Sequence, residues 1–187
     1  MMLLAFGVSA MAALHLIAAV PAWKQRLKEM TGERLYGPLF GFASLAMLAA
    51  IAAGWRLAPF VPVYDPPDWG WLANFILTFI AFQLFGVFLF RGQLRQRLRF
   101  PMGLAVIFWA SGHLLANGDR RSLILFGGLA AYAVAHVAIA LAQGVRPTPV
   151  VRLGHDPLSL LAGAALYGVM TQLHPVLIGV PIFTPAG

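Results

Sequence analysis

The sequence predicts an all-α fold, a polytopic transmembrane bundle of about six helices. Three observations carry that reading. Of the 187 residues, 60% are hydrophobic and only 10% are charged, against about 25% charged in an ordinary soluble domain. Long apolar runs alternate with short polar connections along the chain. Most cations fall in every second connection, as they do on the cytoplasmic face of a multi-pass protein. A single integral membrane domain over residues 1–187 accounts for the length.

The first run extends from Met2 to Val20 and contains one imidazole, His15. At 1.5 Å rise per residue it nearly matches a hydrocarbon core about 30 Å thick. It lacks a basic leading region and more apolar runs follow, so it reads as a retained helix rather than a signal peptide. Pro21 begins the exit, and Trp23, Lys24, Arg26, Lys28, Glu29, Glu33 and Arg34 follow as a solvated amphipathic loop with Trp23 at headgroup level.

The second run spans Pro38 to Leu57, with Gly37 and Gly41 spaced either for close helix approach or for a bend. Pro59, Pro62, Pro66 and Pro67, with Asp65 and Asp68, then mark an irregular extramembrane loop. Tyr64, Trp69 and Trp71 suit its interface. The third run, Trp71 to Phe90, is crowded with phenylalanine, which reads as lipid contact or helix packing before it reads as a cofactor slot. Asn74 and Gln83 are its polar exceptions and are expected to face other helices.

Arg91, Arg95, Arg97 and Arg99 form a basic turn that ends at Pro101, a residue suited to the first turn of a helix. The fourth run, Met102 to Ala116, is short for a full crossing and calls for tilt, a start among headgroups, or local thinning. It carries Trp109 and His113 and ends in Asn117, Gly118 and Asp119. The fifth run, Ser122 to Ala142, holds Tyr132 and His136. A polar break through Arg146, Pro147, Pro149, Arg152 and Asp156 precedes the sixth, Pro157 to His174. The last stretch, Pro175 to Gly187, is apolar but broken by proline and glycine, as in a segment that lies at the interface or folds back.

Charge gives an independent topology. With the amino terminus outside, ten of the thirteen Lys and Arg residues fall inside, and only Arg56, Arg120 and Arg121 fall outside. The expected location is a bacterial inner membrane, with the bilayer as the main partner and both termini outside. The net charge of +7 does not make a nucleic-acid surface, because the cations sit between apolar runs rather than on one accessible face.

The chain has no cysteine, which removes disulfides, thiolate metal sites and cysteine nucleophiles. No zinc-protease, phosphate-loop, dinucleotide or hydrolase-elbow motif is present. Catalytic residues are therefore unknown from motifs, and whether the chain is an enzyme stays open. Five histidines remain: His15, His113, His136, His155 and His174. Four lie in or near apolar runs, where a neutral imidazole can ligate haem iron. Depth pairs His15 with His136 and His113 with His174, so periodicity does not choose a ligand pair. His155 reads as a helix-start residue, and His174, before Pro175, as one that ends its helix. Asp119 can orient a histidine or meet a substrate cation, but capping the fifth helix is the favoured reading.

The chain resembles the NnrU family of membrane proteins. The resemblance rests on Leu14-His15, on Gly32 to Tyr36, on Arg99-Phe100-Pro101-Met102, on Trp109 to Asp119, and on Leu173 to Pro181. Phe100 stands where related sequences often carry histidine, and His136 lies outside the pattern. The resemblance implies a role in nitrite and nitric oxide metabolism during denitrification. The family is also similar to a haem-dependent isomerase of zeta-carotene, which implies haem b with His15 and His113 as iron ligands. His174 is then a further cofactor-binding candidate and the main replacement for either ligand. Asn117 and Asp119 become residues that tune the site or touch substrate. The alternative function implied is cis–trans isomerisation of a carotenoid or other polyene lipid, and the partner is accordingly a hydrophobic polyene or a respiratory protein.

Overall fold

A computed structural model describes residues 1–146, 151–180 and 182. Its helices are α1 (Met2–Ala19), α2 (Pro21–Thr31), α3 (Glu33–Leu57) and α4 (Gly70–Leu89), followed by α5 (Gln93–Leu98), α6 (Pro101–Ala116), α7 (Arg120–Ala142) and α8 (His155–Ile178). Five of these, α1, α3, α4, α7 and α8, are long and apolar enough to cross a membrane. A helix satisfies its backbone internally, and so an apolar chain can span lipid only in this form or as a closed barrel. The sixth expected crossing, α6, has 16 residues, or roughly 24 Å of axial length, which is short of the hydrocarbon thickness.

The loop expected after the first run is instead the helix α2. Pro21 sits in its first turn, and Gln25 donates to Glu29 one turn later at 3.1 Å. Gly32, at φ 82°, separates α2 from α3. Polar Glu33 to Gly37 then supply the first turn of α3, so that helix starts five residues before Pro38 and runs through it. Gly37 and Gly41 face open space and mediate no close approach. The close approach occurs elsewhere: a Cβ on Gly54 would stand 2.5 Å from the backbone nitrogen of Leu4, where α1 crosses α3.

Packing sorts the bundle into neighbours. α1 lies on α3 and α7, and α4 lies between α6 and α8, while α6 also packs on α7. The α4 phenylalanines serve helix packing: Phe75, Phe79 and Phe82 surround the Tyr167 ring of α8 at 5.3 to 5.8 Å. Gln83 also faces α8, with its amide turned to donate to the Leu160 carbonyl at 3.0 Å. Outward-facing residues such as Phe42, Leu45, Leu161 and Val176 are exposed apolar side chains, as a lipid-facing surface requires.

The connections gather at two ends. At one end, Arg120 N donates to Val61 O at 2.8 Å and Val63 N to Gly118 O at 2.8 Å. The loop between α3 and α4 therefore lies on the turn between α6 and α7. Leu4 meets Gly54 there, and Trp71 Nε1 reaches Ile182 O at 3.3 Å. At the other end, Arg152 N donates to Arg91 O at 2.9 Å, and Asp156 accepts from Gln93 N and Leu94 N. This second end, to which α2 also belongs, holds ten of the thirteen cations and three of the six acidic residues. The whole net charge of +7 thus resides there, and the first end is neutral. Pro147 and Pro149 of this break lie outside the described residues.

α8 does not end at His174. It continues through Pro175 to Ile178 and is closed by Gly179 in the left-handed region at φ 82°. The described part of the terminal segment returns toward α4 through Ile182. Pro181 and residues 183–187 lie outside the described residues.

Candidate functional site

Imidazoles inside lipid need their N–H groups satisfied, because an unpaired polar group is costly there. His113 meets that need within its own helix: Nδ1 donates to Trp109 O, one turn earlier, at 2.8 Å. A carbonyl can only accept, so Nδ1 carries a proton, and in the neutral imidazole Nε2 keeps its lone pair. His15 repeats the arrangement with Met11 O at 2.9 Å. His174 does so across the end of α8, donating to Val180 O at 2.7 Å. All three candidate histidines thus have one ring nitrogen held by a carbonyl and the other without a hydrogen-bond partner among the described residues, as an iron ligand requires.

The structure gathers these residues into two groups. In the first, the His113 ring stacks on Phe126 at 4.4 Å and 25°, with Trp109 at 5.1 Å. Asn117 donates its amide to the His113 carbonyl at 2.8 Å. In the second, His15 meets Phe40 at 5.1 Å and Tyr132 at 5.8 Å, and Tyr132 in turn meets His136 at 5.8 Å. Both groups lean on α7. Their contact residues there, Phe126 and Tyr132, are separated by roughly 9 Å of helix. His15 and His113 therefore lie in different groups.

Phe126 reaches His113 from a π-helical turn, Leu123–Gly127, set into α7. Such wider turns insert one residue and re-aim the side chains around them. Asp119 acts as the cap of α7: Oδ1 accepts from Arg121 N at 3.1 Å and Ser122 N at 3.2 Å, and Oδ2 accepts from Ser122 Oγ at 2.5 Å. It is 3% exposed, its side-chain hydrogen bonds go to the start of α7, and its backbone bridges to Pro62. His155 begins α8, where its Nδ1 accepts from Arg91 N at 3.1 Å at the opposite end of the bundle.

Two residues gain roles that sequence reading did not give them. Tyr64, assigned only to the interface, donates its hydroxyl to the carbonyls of Leu114 and Asn117, at the carboxyl end of the His113 helix. Burial, reinforced by the charge of Asp119, raises its pKa above the ordinary 10.0. Arg121, counted only as an outer cation, lies over the rings of Trp55 and Phe60 at 4.6 and 5.6 Å. Its Nε is buried without a hydrogen-bond partner.

Among the described residues, no three His, Asp or Glu side chains gather as a multidentate metal ion would require. Haem needs less from a protein, since the porphyrin supplies four ligands and one or two imidazoles complete them. The chemistry of the imidazoles therefore fits haem, and a buried guanidinium nitrogen of Arg121 without a hydrogen-bond partner lies at the same end of the bundle. In comparison with known proteins, a family model described as NnrU protein matches residues 3–182. No curated protein and no solved structure matches the chain.

Proposed function

This chain belongs to the NnrU family, and on that premise we propose that it is a haem-binding membrane protein supporting nitrite and nitric oxide metabolism in denitrification. The observation that carries the haem reading is the shared state of His15, His113 and His174, each with Nδ1 on a carbonyl and Nε2 free to ligate. His113 is the principal ligand in this reading, because the rings of Trp109 and Phe126 flank its imidazole. His174 or His15 would supply the second imidazole. Haem b would supply an iron centre able to bind a small nitrogen oxide or exchange one electron.

The residues of the chain have separate tasks. The Trp109 and Met11 carbonyls hold the imidazole tautomers and raise the basicity of Nε2. Phe126 and Trp109 exclude water and offer faces against which a porphyrin or a planar ligand can stack. Asn117 and Tyr64 fix the end of α6, and Asp119 fixes the start of α7. The same aromatic lining favours a second reading, a cis–trans isomerase of a carotenoid or other polyene lipid entering from the bilayer.

In this reading the chain is one domain over residues 1–187, its basic end is cytoplasmic in a bacterial inner membrane, and both termini are outside. The absence of native cysteine makes single-cysteine labelling clean: positions 95 and 146 should react from the cytoplasm, and position 65 from outside. The function is tested by reconstituting purified protein with haem and recording absorption and electron paramagnetic resonance spectra. Loss of the low-spin signal is expected in His113→Ala, and in whichever of His174→Ala or His15→Ala removes the second ligand. Unchanged spectra in all three folded variants would refute the assignment. A nitric-oxide-dependent spectral shift supports the respiratory reading, and a protein-dependent change in polyene absorption supports the isomerase.

A further inference from the structure

Arg121 stands where the charge distribution disfavours a cation. Only three of the thirteen Lys and Arg residues lie at the neutral end of the bundle, so its presence there calls for a local cause. Its side chain is 24% exposed, and its guanidinium is held in plane by Trp55 on one contact and Phe60 on another. Asp119 Oδ1 lies 3.4 Å from Arg121 Nε and balances the charge, but that oxygen already accepts from two backbone N–H groups. The buried Nε remains without a hydrogen-bond acceptor. A guanidinium carries five donors in a rigid fork that matches a planar oxyanion.

The same cation is joined to the imidazole by two ring contacts. Trp55, beneath the guanidinium, meets Phe126 edge-on at 6.0 Å, and Phe126 stacks on His113. Resting on the haem reading above, we propose that Arg121 binds a carboxylate carried on the edge of the porphyrin whose iron His113 ligates. The apolar ring system would then lie against the mutually packed rings of Phe126, Trp109 and Trp55, with its charged edge toward Arg121. Charge-assisted pairing with Arg121 orients the group as well as holding it.

The test titrates the purified full chain with haem b and with its dimethyl ester, in which both carboxylates are blocked. Soret absorbance is followed for wild type, Arg121→Gln and Arg121→Lys. Wild type should bind haem b at least about tenfold more tightly than the ester, the scale of one hydrogen-bonded charge pair. Arg121→Gln should bind both porphyrins as wild type binds the ester, and Arg121→Lys should recover part of the difference. If Arg121→Gln loses the ester too, the variant is misfolded and the lysine variant decides. Equal wild-type binding of haem b and ester overturns the proposal and leaves the haem reading intact. That is the result expected if Arg121 takes a free small oxyanion. Failure of folded wild type to bind either porphyrin removes the haem reading and this proposal together.

Discussion

Asp119 and Glu29 are both carboxylates that accept hydrogen bonds, and they sit at opposite ends of the bundle. Asp119 is 3% exposed and engages two backbone nitrogens and a hydroxyl, with Arg121 beside it. Glu29 accepts from Gln25 in α2, a helix with no buried residue. The neutral end is thus fixed by backbone contacts and buried polar groups, and the basic end around α2 by exposed charge. His113, His174 and Arg121 all stand toward the neutral end. Substitutions should therefore divide sharply between the two ends.

The largest effect is expected at Gly54. Its added Cβ would meet the backbone of Leu4 at 2.5 Å, and backbone cannot swing aside as a side chain can. Gly54→Leu should destabilise by about 3 kcal/mol or more, through overpacking at the α1–α3 crossing. Gly37→Ala, toward the basic end in the same helix, meets nothing within 4 Å. It should be neutral or stabilise by up to about 1 kcal/mol through helix propensity. Thermal unfolding of both variants in detergent measures the contrast, and equal midpoints would break it.

Next comes Asp119→Ala, which removes the α7 cap and leaves Arg121 partly buried without its counter-charge. A loss of about 2 to 3 kcal/mol is expected. Asp119→Asn keeps the capping oxygen and should retain about half of that. Similar losses in the two variants would show that charge, rather than capping, is the larger contribution.

The two ends also differ in how far sequence reveals them. Crossings were legible because lipid requires long apolar runs, and the sorting of cations fixed which connections share an end. The helical state of α2 was missed because its composition suits a solvated loop equally well, and Pro21 marks either an exit or a first turn. Gly37 and Gly41 carried the spacing of an approach motif, yet the approach uses Gly54, whose partner lies in another helix. The π turn that brings Phe126 to His113 has no local sequence pattern. Tyr64 and Arg121 depend on a proline-rich loop crossing the end of α6, a contact between segments about fifty residues apart.

Tyr64→Phe sharpens the comparison with pH. Removing its hydroxyl leaves the Leu114 and Asn117 carbonyls at the exposed edge, so a loss of about 1 kcal/mol is expected at neutral pH. The folded pKa of Tyr64 lies above the ordinary 10.0, so folding favours the protonated phenol. That contribution is complete below pH 10 and is lost as pH rises through the folded value. The gap between wild type and Tyr64→Phe should accordingly narrow above about pH 10. A gap that widens there would mean the ionised phenol is the stabilised form.

The smallest effect belongs to Glu29→Gln in α2. The bond from Gln25 is exposed, and its neighbours Arg26 and Lys28 lose a nearby negative charge rather than a buried partner. Surface helix pairs one turn apart contribute about 0.3 to 0.5 kcal/mol, and salt screens the charged part. The variant should therefore unfold within about 0.5 kcal/mol of wild type at low salt and coincide with it near 1 M, where the screening length falls to about 3 Å. The change should register instead in the association of α2 with lipid. Removing an acidic residue from a basic interfacial helix strengthens attraction to anionic headgroups by about 1 kcal/mol per net charge. Quenching of Trp23, which is exposed and beside Arg26, by brominated lipids in vesicles with and without phosphatidylglycerol reads this directly. A salt-independent loss above 1 kcal/mol would place Glu29 in a packed interface and make the two ends of the bundle alike.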